Sequence, residues 1–256
     1  MSRQLVPLNG LAFTAMALVN FLAVQLPFFG RRPGDVSDQY ANSFTPADIT
    51  FSIWSVIYIL LFFFIGRQIS VWRTADKPLP PEVARIGGLF VATCLCNIAW
   101  LVAWQSLHLV LAFGIIFCLW ILLIVIYYRL VPFAQHHWTA TYSFSIYLAW
   151  VSVAALANLN VIILDAGFNR FGLSPEAWTA ALVIMGTLGG LLVLWLNRDP
   201  VFVLVVIWSF AGIYLKNSPA GADLALITRT AIIGMVILAL SSGLVVATRL
   251  LARRAS

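Results

Sequence analysis

The chain has 256 residues, 62% of them hydrophobic and only 9% charged. Soluble domains are about a quarter charged, so this composition excludes a water-covered globule of this size. The formal net charge is +6, but no basic run is interleaved with aromatics. The sequence therefore speaks against nucleic acid as a partner, and a cationic excess in an apolar chain reports orientation in a bilayer instead.

A helix needs about 20 mostly apolar residues to cross the hydrocarbon core, and eight stretches qualify. The first runs from Leu8 to Phe29 behind Arg3. Its apolar run begins at Leu5, is too long for the hydrophobic region of a secretory signal, and reads as a retained helix. The loop that follows carries Arg31, Arg32, Asp35 and Asp38. The second stretch, Pro46 to Ile65, opens on Thr45-Pro46-Ala47-Asp48. Thr45 reads as the cap, Pro46 as the first helical residue, and Asp48 as a capping group rather than a catalytic acid. The next loop is basic, with Arg67, Arg73, Lys77 and Arg85. Then come Gly87 to Trp104, Leu109 to Tyr128, Tyr142 to Leu164, Ala177 to Leu196, the short Val201 to Leu215, and Leu224 to Leu250. Gly186 and Gly190 stand four apart on the sixth stretch and permit close helix approach. The expected fold class is an all-α, polytopic transmembrane helix bundle of about eight helices.

Lysine and arginine set the orientation. Arg3, the even-numbered loops and the C-terminal arginines put ten cations on one side; Arg31, Arg32, Arg170 and Lys216 put four on the other, with Arg229 set aside. This asymmetry predicts both termini in the cytoplasm, in what reads as a bacterial inner membrane.

Chemistry-bearing motifs are sparse. No hydrolase, kinase, phosphate-loop or zinc pattern occurs, and no catalytic or metal-ligating residue is nominated. Cys94, Cys96 and Cys118 lie inside apolar stretches and read as small buried hydrophobes. His136 and His137 are adjacent, so they do not share a helix face; with Trp138 they read as an interfacial cluster. His108, alone in a short turn, reads as solvated. More informative are three intramembrane stripes. Phe51, Trp54 and Tyr58 recur at i, i+3 and i+7, as do Asn97, Trp100 and Trp104. Tyr147, Trp150, Ala154 and Asn158 continue the pattern on the fifth stretch. Polar groups in hydrocarbon are costly unless paired, so these faces belong inside the bundle. Two readings stay open on the residues alone: aromatic filling with asparagine as glue between helices, or a pocket for a flat apolar ligand with polar edges.

At these residues the chain resembles the TspO/MBR family, the tryptophan-rich sensory proteins related to the mitochondrial translocator protein. The resemblance rests on Ser43-Phe44-Thr45-Pro46 followed by Trp54-Ser55-Val56-Ile57-Tyr58, on Asn97-Ile98-Ala99-Trp100, and on Tyr147-Leu148-Ala149-Trp150 with Asn158. It departs from the family in the shorter spacing between Pro46 and Trp54 and in Ile146, where the family has proline. The resemblance covers about residues 1 to 165, and implies a five-helix membrane domain there, with residues 166 to 256 supplying three additional helices. It also implies binding of a tetrapyrrole, porphyrin or haem, in a pocket roofed by the first loop. Trp54, Tyr58, Asn97, Trp100, Tyr147, Trp150 and Asn158 are then the candidate ligand-binding residues, with Arg31 and Arg32 as loop candidates. Light-dependent porphyrin breakdown, which the resemblance associates with Trp54 and Trp150, would be its one enzymatic aspect.

Two other classes compete with a receptor-like ligand binder. A small-molecule transporter would show a repeat with helices broken at midplane, and no convincing repeat is present. An enzyme acting on a lipid or isoprenoid would need clustered carboxylates, whereas Asp and Glu total nine, nearly all in loops. A rhodopsin would need a lysine midway along its last helix, and the eighth stretch has none. The expected partners are the bilayer and a hydrophobic small molecule, and a homodimer is compatible with the sequence.

Overall fold

The computed structural model describes residues 2–40, 42–74, 78–133 and 138–255. Lys77 lies outside the described residues, as do His136 and His137 of the expected His-His-Trp cluster. Among the described residues the chain forms helices and turns and no strand. Eight long helices occur, one for each apolar stretch: α1 (Ser2–Gln25), α3 (Ile53–Trp72), α5 (Leu89–Gln105), α6 (Leu109–Leu130), α7 (Trp138–Asp165), α8 (Pro175–Asn197), α9 (Pro200–Asn217) and α10 (Ala225–Ala255). Two short helices, α2 (Pro33–Asp38) and α4 (Pro81–Ile86), lie in the first two loops. Seven of the long helices are long and apolar enough to span a membrane; α5 is apolar but shorter. Large apolar side chains face outward along them, including Leu11, Phe63, Leu188, Leu240 and Val110, the last 74% exposed. A helix apolar on all sides satisfies its own backbone and needs lipid, not water, around it. The protein is therefore an integral membrane protein.

The helix ends follow local chemistry. Ser174 caps α8 by accepting the Ala177 N–H at 3.1 Å, with Pro175 at the first helical position. Asp199 caps α9 by accepting the Val201 and Phe202 N–H groups, with Pro200 following it. Both are the sequence signature of a helix start. The start of the second span differs from the expectation. Asn42, not Thr45, organises this turn: its side-chain oxygen accepts the N–H groups of Phe44 and Thr45. Residues Asp48–Ser52 then form a 3-10 turn, and the α-helix begins at Ile53. The Ala47 N–H, which a helix begun at Pro46 would leave at its open end, donates to the Gly212 carbonyl at 3.0 Å instead.

The chain divides into two compact units. The first comprises Met1–Gln39 and Ile53–Val151; the second comprises Tyr40–Ser52 and Ser152–Ser256. In the first unit, α5 packs between α1 and α6, and α1 also meets α3. Phe64, Phe90 and Phe144 meet edge to face with centroids 5.3 to 6.1 Å apart, joining α3, α5 and α7. Asn9 and Gln68, both buried, join α1 to α3 through one hydrogen bond of 3.0 Å.

In the second unit, α8, α9 and α10 pack on one another. A Cβ on Gly186 would lie 3.1 Å from Phe210, and one on Gly190 would lie 3.0 Å from Leu238, so the paired glycines do admit close neighbours. The segment 40–52 is stitched to α9: Trp208 Nε1 donates to the Thr50 carbonyl at 2.9 Å, and Asn217 Nδ2 donates to the Ser43 carbonyl at 2.9 Å. Tyr40 donates its hydroxyl to Asp165 at 2.9 Å. Partial burial first, and then the Asp165 bond and charge, push the Tyr40 pKa above the usual phenol value.

Candidate ligand-binding site

Six of the predicted site residues converge within the first unit. Trp54 is the hub. Its ring stacks on Tyr58 one turn along α3, with centroids 5.7 Å apart and planes 17° apart. It stacks on Trp100 of α5 at 6.5 Å. It meets Tyr147 and Trp150 of α7 edge-on, at 5.9 and 6.2 Å. Trp100 in turn stacks on Trp104 at 6.3 Å. Trp100, Trp104, Tyr147 and Trp150 are buried, whereas Trp54 is half-buried. Offset-stacked and edge-on pairs at these separations are the favoured arrangements for rings, each contributing about 0.5–1.5 kcal/mol beyond its area.

A polar thread runs beside the rings. Asn20 of α1 donates to the Asn97 side-chain oxygen at 2.7 Å, and the Asn97 amide donates to the Tyr147 hydroxyl at 3.1 Å. Asn97 is fully buried, so the thread ties α1, α5 and α7 together with both halves of one amide. The Tyr58 hydroxyl is different: it is buried and has no hydrogen-bond partner among the described residues. A buried hydroxyl left unpaired costs free energy, and such a group marks either strain or a missing partner.

The first loop is anchored at the Trp104 end of α5. Trp104 Nε1 donates to the Pro33 carbonyl at 3.0 Å, and the buried Gln105 amide donates to the Arg31 carbonyl at 2.7 Å. Arg31 is half-buried, and its guanidinium reaches the carbonyls of Phe29 and Gln105, each at 3.4 Å. Arg32 is exposed, and its backbone N–H donates to the Asp35 carboxylate at 2.7 Å, which starts α2.

The remaining predictions fall outside this convergence. Phe51 sits in the 3-10 turn ahead of α3, so its stripe with Trp54 and Tyr58 is not one continuous helical face. Asn158 lies in the part of α7 that belongs to the second unit; it is buried and donates to the Ala154 carbonyl one turn back at 2.9 Å. His108 makes a 2.8 Å contact with Ser106 in an exposed turn. Among the described residues no three His, Cys, Asp or Glu side chains gather as metal ligands.

Sequence reasoning missed Asn20 and Gln105. Each is a polar residue on an apolar helix, and the cost of such a group in hydrocarbon is the available signal. That signal is weak here because no aromatic stripe accompanies Asn20, and Gln105 stands at a helix end.

The arrangement presents aromatic faces, one unpaired hydroxyl and a fixed amide thread, with no charged side chain among the converging residues. It suits recognition of an apolar molecule better than acid–base chemistry. No curated protein and no solved structure matches the chain. One family model does, described as TSPO-like protein and covering residues 5–244, a span that passes residue 165 and runs through α8 and α9 into α10. It takes in every motif residue gathered at Trp54, and the chain belongs to this TSPO-like family.

Proposed function

We propose that this membrane protein binds a flat, apolar tetrapyrrole, a porphyrin or haem, at the ring cluster centred on Trp54. The observation that carries the reading is the convergence of four rings from three helices on one half-buried tryptophan, beside the unpaired Tyr58 hydroxyl. Trp54, Trp100 and Trp150 offer faces to the macrocycle. Tyr58 offers a hydrogen bond that no group among the described residues takes, while Tyr147 and Asn97 complete the polar set. Arg31 and Arg32, in the loop held at the end of α5, supply cations for the propionate edges, since guanidinium pairs carboxylate bidentately. In this reading the ligand-binding part lies within residues 1–165, and residues 166–256 are a further helical part. Both termini face the cytoplasm of a bacterial inner membrane, so the first loop faces the opposite side.

Titration of the detergent-solubilised full chain with protoporphyrin, followed by tryptophan fluorescence, tests the reading. Wild type should quench saturably. Trp54→Ala should weaken binding by about two- to tenfold, the weight of one good aromatic contact. Trp150→Phe should still bind while any photochemistry falls. Equal binding by wild type and Trp54→Ala, or none by either, removes the tetrapyrrole assignment and moves small-molecule transport to the front.

A further inference from the structure

A second polar constellation lies in the first unit, away from the ring cluster. Arg3 Nη2 donates to the Trp72 carbonyl at 2.9 Å, beside Arg73. Arg67 pairs with the buried Glu82 at 3.4 Å. Glu82 shares α4 with Arg85, and Arg129 Nη1 donates to the Arg85 carbonyl at 3.0 Å. These contacts string Arg3, Arg67, Arg85 and Arg129 along α1, α3, α4 and α6, with Arg73 next in sequence to Trp72. From Arg67 to Arg129 the sequence contains two acidic residues, Asp76 and Glu82. Asp76 lies outside the described residues, and Glu82 already engages Arg67.

Arg85 carries the inference. Its guanidinium carbon sits 3.2 Å from the centroid of the Phe133 ring. The ring face balances part of the charge but accepts none of the guanidinium hydrogens in a proper hydrogen bond. One terminal nitrogen, Nη1, is buried with no hydrogen-bond partner. The planar fork of arginine matches the paired oxygens of a phosphate or carboxylate. Arg129 brings a second and exposed guanidinium to the same residue, at the Arg85 main-chain carbonyl.

The setting selects the source of the anion. Arg129 lies in the last turn of α6, a spanning helix. Tyr128 and Phe133, on either side of it, are 50% and 37% exposed. Aromatic side chains next to arginine at a helix end mark the headgroup level of a bilayer, where the phosphate of an anionic lipid is the abundant oxyanion. We propose that Arg85 and Arg129 form a binding site for the phosphate of an anionic phospholipid, with Phe133 as its aromatic floor.

Native mass spectrometry of the full chain, exchanged between phosphatidylcholine and phosphatidylglycerol micelles, tests the proposal. Wild type should retain phosphatidylglycerol in preference to phosphatidylcholine, and added salt should erode the preference as charge screening predicts. Arg85→Gln and Arg129→Gln should each lower it on the order of fivefold, with Arg249→Gln as an unaffected control. Arg85→Lys, which keeps the charge but loses the fork, should fall between wild type and Arg85→Gln. The proposal is overturned if wild type shows no preference, or if the double glutamine variant keeps it. It is also overturned if inorganic phosphate displaces the lipid completely, which would make this a soluble-phosphate site. Should the variants fail to fold, the wild-type preference and its salt dependence decide alone.

Discussion

Asn97 has no exposed surface and uses both ends of its amide, accepting from Asn20 and donating to Tyr147. Asn97→Ala removes both bonds and leaves the buried Tyr147 hydroxyl without its donor, while the half-buried Asn20 keeps its bond to the Met16 carbonyl at 2.9 Å. Hydrogen bonds between membrane helices are worth about 0.6–2 kcal/mol, so thermal unfolding in detergent should show a loss of about 1–2 kcal/mol. Tyr58→Phe separates structure from function. The hydroxyl has no partner to lose, so the folded state should keep its stability or gain up to about 1 kcal/mol. Protoporphyrin affinity should nonetheless fall. A variant that loses stability but not affinity would assign the hydroxyl to the fold. At this scale the sequence exposed Trp54, Trp100, Tyr147 and Trp150, because helical spacing sorts bulky aromatics onto faces. It did not expose the Asn20–Asn97 bond, because the partner of a lone asparagine is set by packing between helices 77 positions apart.

Helices were the most legible elements. Each apolar stretch became a helix, since a run of Leu, Ile, Val, Phe and Ala leaves the backbone no partner in lipid but itself. The segment before α3 departs from its sequence pattern: Thr-Pro-Ala-Asp imitates a helix start, while its amide at Ala47 answers to Gly212, 165 residues away. That approach depends on Gly212: a Cβ there would collide with Thr50 Oγ1 and lie 2.7 Å from Pro46 Cβ. Gly212→Ala should therefore destabilise the protein by about 1–3 kcal/mol. Gly114→Ala is the contrast, because nothing lies within 4 Å of the added carbon. In α6 it should be neutral or stabilising by up to about 1 kcal/mol. Unfolding midpoints of the two variants check the pair; equal effects would mean that the 40–52 segment does not rest on α9 as described.

At the scale of the whole molecule, composition alone specified a membrane chain, and the outward-facing apolar side chains agree with it. The division of the chain into two units was less legible. Residues 40–52 join the C-terminal helices and α7 contributes to both units, arrangements that hydropathy along the chain does not encode. Orientation rests on the ten-to-four cation asymmetry. A reporter fused at the C-terminus should signal from the cytoplasm, and a periplasmic signal would reverse the topology. The central claim, that the Trp54 cluster receives a tetrapyrrole, is tested most directly by letting the ligand mark its own site. Bound protoporphyrin, illuminated briefly in air, oxidises nearby aromatic side chains, and peptide mass spectrometry locates the damage. Oxidation should concentrate at Trp54, Trp100 and Trp150, and be suppressed at Trp195, although Trp195 is 56% exposed. Damage that follows exposure, heaviest at Trp195 and Trp208 and slight at Trp150, would contradict a tetrapyrrole bound at the Trp54 cluster.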